Sequence, residues 1–80
     1  MNTYIATFYT HLAAMLSYRN FQAASIDGQL APVPRQLSSS CGSCLIYQAD
    51  RPWVEKLAED WQEVYRQEAD GGFTLLHGNA

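Results

Sequence analysis

From Met1 to Asp27 the chain contains neither glycine nor proline. A stretch that long without either residue has few places to turn, so it has to be spent on regular elements. Its own chemistry divides it in two. Thr3 to Tyr9, TYIATFY, is rich in β-branched and aromatic residues and predicts a buried strand. Thr10 supplies a helix N-cap, and His11 to about Ser25 is built from good helix formers. Leu12, Met15, Leu16 and Ala23 predict the inward stripe of that helix, with Arg19 interrupting it. Ala14, Tyr18 and Phe21 make a second apolar line that would face a partner or solvent.

Beyond this stretch the punctuation is denser. Asp27-Gly28 reads as a turn into the strand IDGQLAPV, and Pro32 and Pro34, which cannot donate ladder hydrogen bonds, predict that it lies at a sheet edge. CLIYQA is a third strand. Asp50 as cap and Pro52 in the first turn predict a second helix, in which Val54, Leu57, Ala58 and Trp61 recur at i, i+3, i+4 and i+7. Glu55, Lys56, Glu59 and Asp60 take its outer face. EVYRQE, the turn ADGG and FTLL predict a hairpin, and His77 to Ala80 a frayed tail.

The order is β-α-β-β-α-β with an added strand. It predicts an α+β fold, a ferredoxin-like βαββαβ sandwich with an additional C-terminal β-hairpin strand, as a single domain over 1–80 with its core at about 3–76. Right-handed crossovers in that architecture run the first and second strands in the same direction with the third antiparallel between them. The junction Tyr9-Thr10-His11 should therefore face the loop Arg35 to Cys44, and the chain near Trp61 should arrive at the same edge.

Composition narrows the function. A chain of 80 residues buries only about 60–65% of its unfolded surface. Two apolar helix faces then predict a homodimer that covers one of them. A net charge of −3 without a Lys/Arg cluster argues against nucleic acid. No segment approaches the roughly 20 apolar residues of a membrane span. MNTYIATFYTHLAAML lacks a basic leader before an apolar run, so a cytoplasmic location is expected. In that reducing compartment two nearby cysteines are more often free, metal-bound or reactive than a permanent staple.

Attention then falls on PVPRQLSSSCGSCLIY, Pro32 to Tyr47. Ser38, Ser39, Ser40 and Gly42 favour a tight path in which N–H groups and hydroxyls converge, a nest for an anion. A Cys41 thiolate would be that anion, with Arg35 and the amino end of the first helix adding positive potential and His11 accepting its proton. The same residues also describe a polar hairpin loop whose serines cap local backbone, whose cysteines pack passively, and whose His11 and Arg35 are solvated charges. Cys41-Gly42-Ser43-Cys44 is a C-x-x-C, but a strand follows it where a redox motif has a helix. It supplies two zinc ligands of the usual four, with His11 or a second copy as the only further source, so no metal is expected. Trp53 and Trp61 read as core or interface residues.

YIATFYTHLAAM followed by PVPRQLSSSCG closely resembles the small bacterial and archaeal domain described as selenium/sulfur carrier protein-like. The resemblance runs from about Thr3 to Leu75. Its specific element, Pro32-Val33-Pro34-Arg35 with Ser38-Ser39-Ser40-Cys41-Gly42, is far more selective than a lone C-x-x-C. Family resemblance implies a ferredoxin-like α+β fold and the handling of reduced sulfur or selenium, with Cys41 and Arg35 at the motif positions and Cys44 just outside them. The expected function is a carrier or accessory protein rather than a stand-alone enzyme. Cys41 would hold sulfane sulfur or selenium as persulfide or selenosulfide, needing no cofactor beyond that covalent adduct, and pass it between donor and acceptor proteins. Cys44 would resolve the loaded form as a second reactive residue. The competing class is a non-enzymatic redox-sensing or anion- or metal-binding regulatory module.

Overall fold

The computed structural model describes residues 1–79. Strand β1 (Asn2–Phe8) leads into helix α1 (His11–Ala23), then β2 (Asp27–Pro32), β3 (Ser43–Ala49), a single 3-10 turn over Val54–Lys56, β4 (Trp61–Gln67) and β5 (Phe73–Gly78). The five strands form one antiparallel sheet in the order β2-β3-β1-β4-β5. Helix α1 packs on one face, so the architecture is α+β with one helix. β2 is an edge strand, as its prolines require.

Thr10 caps α1 as expected: its backbone is extended and its Oγ1 accepts from the Ala13 N–H at 3.1 Å. The face that α1 buries is the reverse of the expected one. Ala13, Ala14, Ser17 and Phe21 are buried, whereas Leu12, Met15 and Leu16 are 64%, 46% and 42% exposed. The sheet explains the inversion. Its helix-facing side carries Tyr4, Phe8, Leu45 and Tyr47, large side chains that leave room beneath the helix only for alanine and serine. Phe21 fills the space left at the far end, meeting Tyr47 edge-on with ring centroids 4.6 Å apart. Phe21 is thus core, and the Tyr18–Phe21 line is no partner surface.

The entry to β2 also differs from expectation. The turn is made at Ala24-Ser25, with Ser25 at φ +60, and Asp27 and Gly28 already belong to the strand. Gly28 lies opposite Tyr47, and a Cβ there would come within 3.2 Å of the Tyr47 Cβ, so the glycine serves close approach and not turning.

The second helix does not form, and with it the two-helix βαββαβ sandwich is replaced by a one-helix layer on the sheet. Trp53 is left-handed at φ +51 and the chain is extended again at Leu57. The Ser17 hydroxyl accepts from the Ala58 N–H at 2.8 Å, and the Tyr9 N–H donates to the Asp60 carbonyl at 3.0 Å. The apolar periodicity was genuine, since Val54, Leu57, Ala58 and Trp61 all pack toward the core. Pairing competed with it and won. Trp61 is already the strand residue opposite Phe8, and a helix through it would remove that rung. Segment 50–60 must also return along the whole of β1, about 20 Å at some 3.3 Å per strand residue. Extended chain covers that distance more readily than helix at about 1.5 Å per residue.

The hairpin β4–β5 forms around Glu68–Gly72. Its end does not fray at once: β5 runs to Gly78, and Asn79 bonds the carbonyls of Gln62, Glu59 and Trp61 at 2.9, 3.1 and 2.8 Å. Ala80, the remainder of the expected tail, lies outside the described residues.

Candidate functional site

The carboxyl ends of β1 and β2 meet the starts of β3 and β4 at one edge, because β3 runs antiparallel between β1 and β2 and Trp61 pairs with Phe8. The segment Val33–Gly42 crosses this edge. Leu37 N–H turns back on the Pro34 carbonyl at 3.0 Å, and Val33 N–H closes the loop on the Gly42 carbonyl at 3.2 Å. Gly42 has φ +76, a conformation that any side chain would strain.

Two side-chain bonds tie the loop to the sheet. The Ser39 hydroxyl donates to the Phe8 carbonyl at 3.0 Å, and the Ser40 N–H donates to Gln62 Oε1 at 3.2 Å. Cys41 follows directly after these ties, half-buried against the core. Its N–H donates to Ser39 Oγ at 3.4 Å, its thiol to the Ser43 carbonyl at 3.5 Å, and Ser39 Oγ lies 4.0 Å from the sulfur. The expected ring of donors around the sulfur is therefore not assembled in this conformation. The N–H groups of Ser40 and Cys41 are engaged elsewhere, and the backbone group bonded to the thiol is an acceptor, the Ser43 carbonyl.

The junction at the start of α1 does face the loop. His11 Nδ1 lies 3.3 Å from Ser43 Oγ, two residues beyond Cys41, so His11 reaches the strand start and not the thiol itself. Ser38 and Arg35 are exposed, and among the described residues neither has a side-chain hydrogen bond or ion pair. Arg35 thus stands at the rim with its guanidinium uncommitted.

Cys44 has the opposite environment. It lies inside β3, opposite Ala31 of β2 and Thr7 of β1, fully buried, with its thiol donating to the Pro32 carbonyl at 3.6 Å. Burial first, and the Cys41 charge second, push its thiol up to about 11. A resolving attack by Cys44 therefore requires the β2 edge to open and the thiol to ionise against that gradient. Both cysteines are free. Among the described residues no three His, Cys, Asp or Glu side chains group as metal ligands.

Several residues that build this edge carry no sequence signal. Gln62 and Ser43 are ordinary polar residues until the fold sets them beside Ser40 and His11. Thr7 is completely buried, and its Oγ1 accepts the Glu63 N–H at 3.1 Å where the β1–β4 register shifts, just before the Phe8 carbonyl that holds Ser39. Its β-branched character marked a strand, but nothing local marked that bond.

A family model described as Putative Se/S carrier protein-like matches residues 3–66. The matched span contains nearly all of β1, then α1, β2, the loop, β3 and nearly all of β4, while β5 lies beyond it. No curated protein and no solved structure matches the chain.

Proposed function

The chain belongs to the Se/S carrier protein-like family, and from that premise we propose that Cys41 carries sulfane sulfur or selenium between a donor and an acceptor protein. The observation that supports this reading most is the contrast three residues apart: Cys41 is at the surface of a braced loop, and Cys44 is sealed in the sheet. In loading, the Cys41 thiolate attacks the outer chalcogen of a donor persulfide or selenosulfide. The donor's bond to that atom breaks, and the donor thiolate leaves. In delivery, an acceptor thiolate attacks the same outer atom and Cys41 leaves as thiolate, so no external oxidant or reductant is consumed. The persulfide is an anion at neutral pH, and the uncommitted Arg35, with the exposed Ser38 hydroxyl, forms the means of holding it.

Within this reading Cys44 acts only on an opened edge. Its thiolate would attack Cys41 Sγ, expel hydrosulfide or hydroselenide, and leave a disulfide that a dithiol must reduce. Transfer to an external acceptor avoids that opening. The strand arrangement around β1, α1, β2 and β3 is read as one half of a ferredoxin-like split βαβ unit, and the compartment as the reducing cytoplasm.

The test is mass spectrometry after incubation with a low-molecular-weight persulfide. Wild type and Cys44→Ser should gain one sulfur atom, and Cys41→Ser should gain none. Loading that survives Cys41→Ser would remove the carrier reading, and a stoichiometric metal in the purified protein would favour a binding module instead.

A further inference from the structure

The inverted packing of α1 leaves Leu12, Met15 and Leu16 on its outer face, where a soluble chain of this size gains by covering them. They do not stand alone. The segment after the 3-10 turn runs beside the helix in the opposite direction. Asn20 Nδ2 bonds the Lys56 carbonyl at 3.1 Å near the helix end, Ser17 Oγ takes the Ala58 N–H at 2.8 Å midway, and Glu59 and Asp60 border a groove with Leu12 and Leu16 near the helix start. The patch is consequently polar in the electrical sense. Arg19 and Lys56 lie at one end, Glu59 and Asp60 at the other, with the three apolar side chains between. All four charges are exposed, and none has an ion-pair partner among the described residues.

We propose that this patch is a self-complementary interface, and that its occupant is a second copy of this chain packed helix against antiparallel helix. A two-fold axis lying in the interface, perpendicular to α1 near Met15 and Leu16, reverses the helix direction from one copy to the other. Residues 12 and 19 exchange places across it. The acidic end of each copy then faces the basic end of its partner twice over, while Leu12, Met15 and Leu16 of both copies share the centre. A parallel arrangement would set like charges against each other at both ends, which disfavours it. The antiparallel pairing also places the two Cys41 loops, each near the start of its own α1, at opposite ends of the assembly and leaves both open. This inference does not rest on the chemistry assigned to Cys41.

Sedimentation equilibrium on the full chain tests it with three variants, each checked for native far-UV circular dichroism. Wild type should dimerise, and Leu16→Asp, at an already exposed position, should be monomeric. R19E/K56E and E59K/D60K should each weaken self-association by at least about tenfold, because each makes the patch uniform in charge. Mixed together they should form a heterodimer tighter than either variant's own dimer. Wild type that stays monomeric at high concentration, a dimer indifferent to Leu16→Asp, or charge variants that fail to pair when mixed would each overturn the proposal.

Discussion

The loop Val33–Gly42 and the strand Ser43–Ala49 adjoin in sequence and hold one cysteine each, yet they treat it oppositely. In the loop the backbone is held by a few bonds at separate points, and Cys41 keeps part of its surface. In the strand Cys44 to Gln48 are paired on both sides, and Cys44 loses all of it. The exposure of a thiol here follows from how its backbone is held more than from the residues next to it in the chain.

The largest expected effect separates the two thiols directly. Cys44 is completely buried, so alkylation proceeds only from an opened state in which burial no longer raises its pKa. An opening cost of about 2–4 kcal/mol then sets the ratio of the two rates. Iodoacetamide rates on single-cysteine variants should then favour Cys41 by roughly thirtyfold to a thousandfold. Equal rates would show that β2 opens freely and would erase the comparison.

The next effect is thermodynamic. An unfolded Cys44 ionises near 9.0 and the folded one at about 11. Between those values the unfolded chain binds fewer protons, so stability falls as pH rises, by up to roughly 3 kcal/mol in total. Below that window the thiol is protonated in both states and contributes no slope. Urea unfolding across the window should show this loss in wild type, and Cys44→Ala should lack it. Tyr65, pushed up to about 12 by burial and by its bond to Glu63, adds the same slope to both proteins and cancels in the difference.

A smaller effect sharpens the loop's side of the contrast. Ser39→Ala removes the bond to the Phe8 carbonyl and the acceptor of the Cys41 N–H. It should cost about 1 kcal/mol in stability while leaving Cys44 protected. A thermal melt checks the first part, and Cys44 alkylation the second. Arg35→Ala should change least in the unloaded protein, altering the Cys41 alkylation rate by less than about twofold, since among the described residues no hydrogen bond joins the two. Its effect should appear as faster loss of sulfur from the loaded form. A tenfold drop in the unloaded alkylation rate would show instead that the guanidinium reaches the resting thiol.

Much of the site was legible because it depends on local rules. Pro32 and Pro34 end an edge strand, Thr10 caps a helix, and β1-α1-β2 with β3 between them brings His11 to the loop. What could not be read were distances of a few ångströms among residues far apart in the chain. Whether His11 meets Cys41 or Ser43, and whether the Ser40 N–H points at a sulfur or at Gln62, depends on how the sheet edge twists and where β1 and β4 shift register.

By itself the sequence determined the strand at Thr3–Tyr9, the capped helix after it, the edge character of the proline strand, the terminal hairpin and the family, because each rests on backbone propensity or on a contiguous motif. Only the tertiary structure decided which face of α1 is buried, since Leu12, Met15 and Leu16 are the more hydrophobic choice and Ala13, Ala14 and Ser17 the one that fits over Tyr4, Phe8 and Tyr47. It decided likewise that Val54–Trp61 would not be helical. A helical period states which side chains seek the core, but a rung opposite Phe8 and a hydroxyl at Ser17 determine the backbone path by which they reach it.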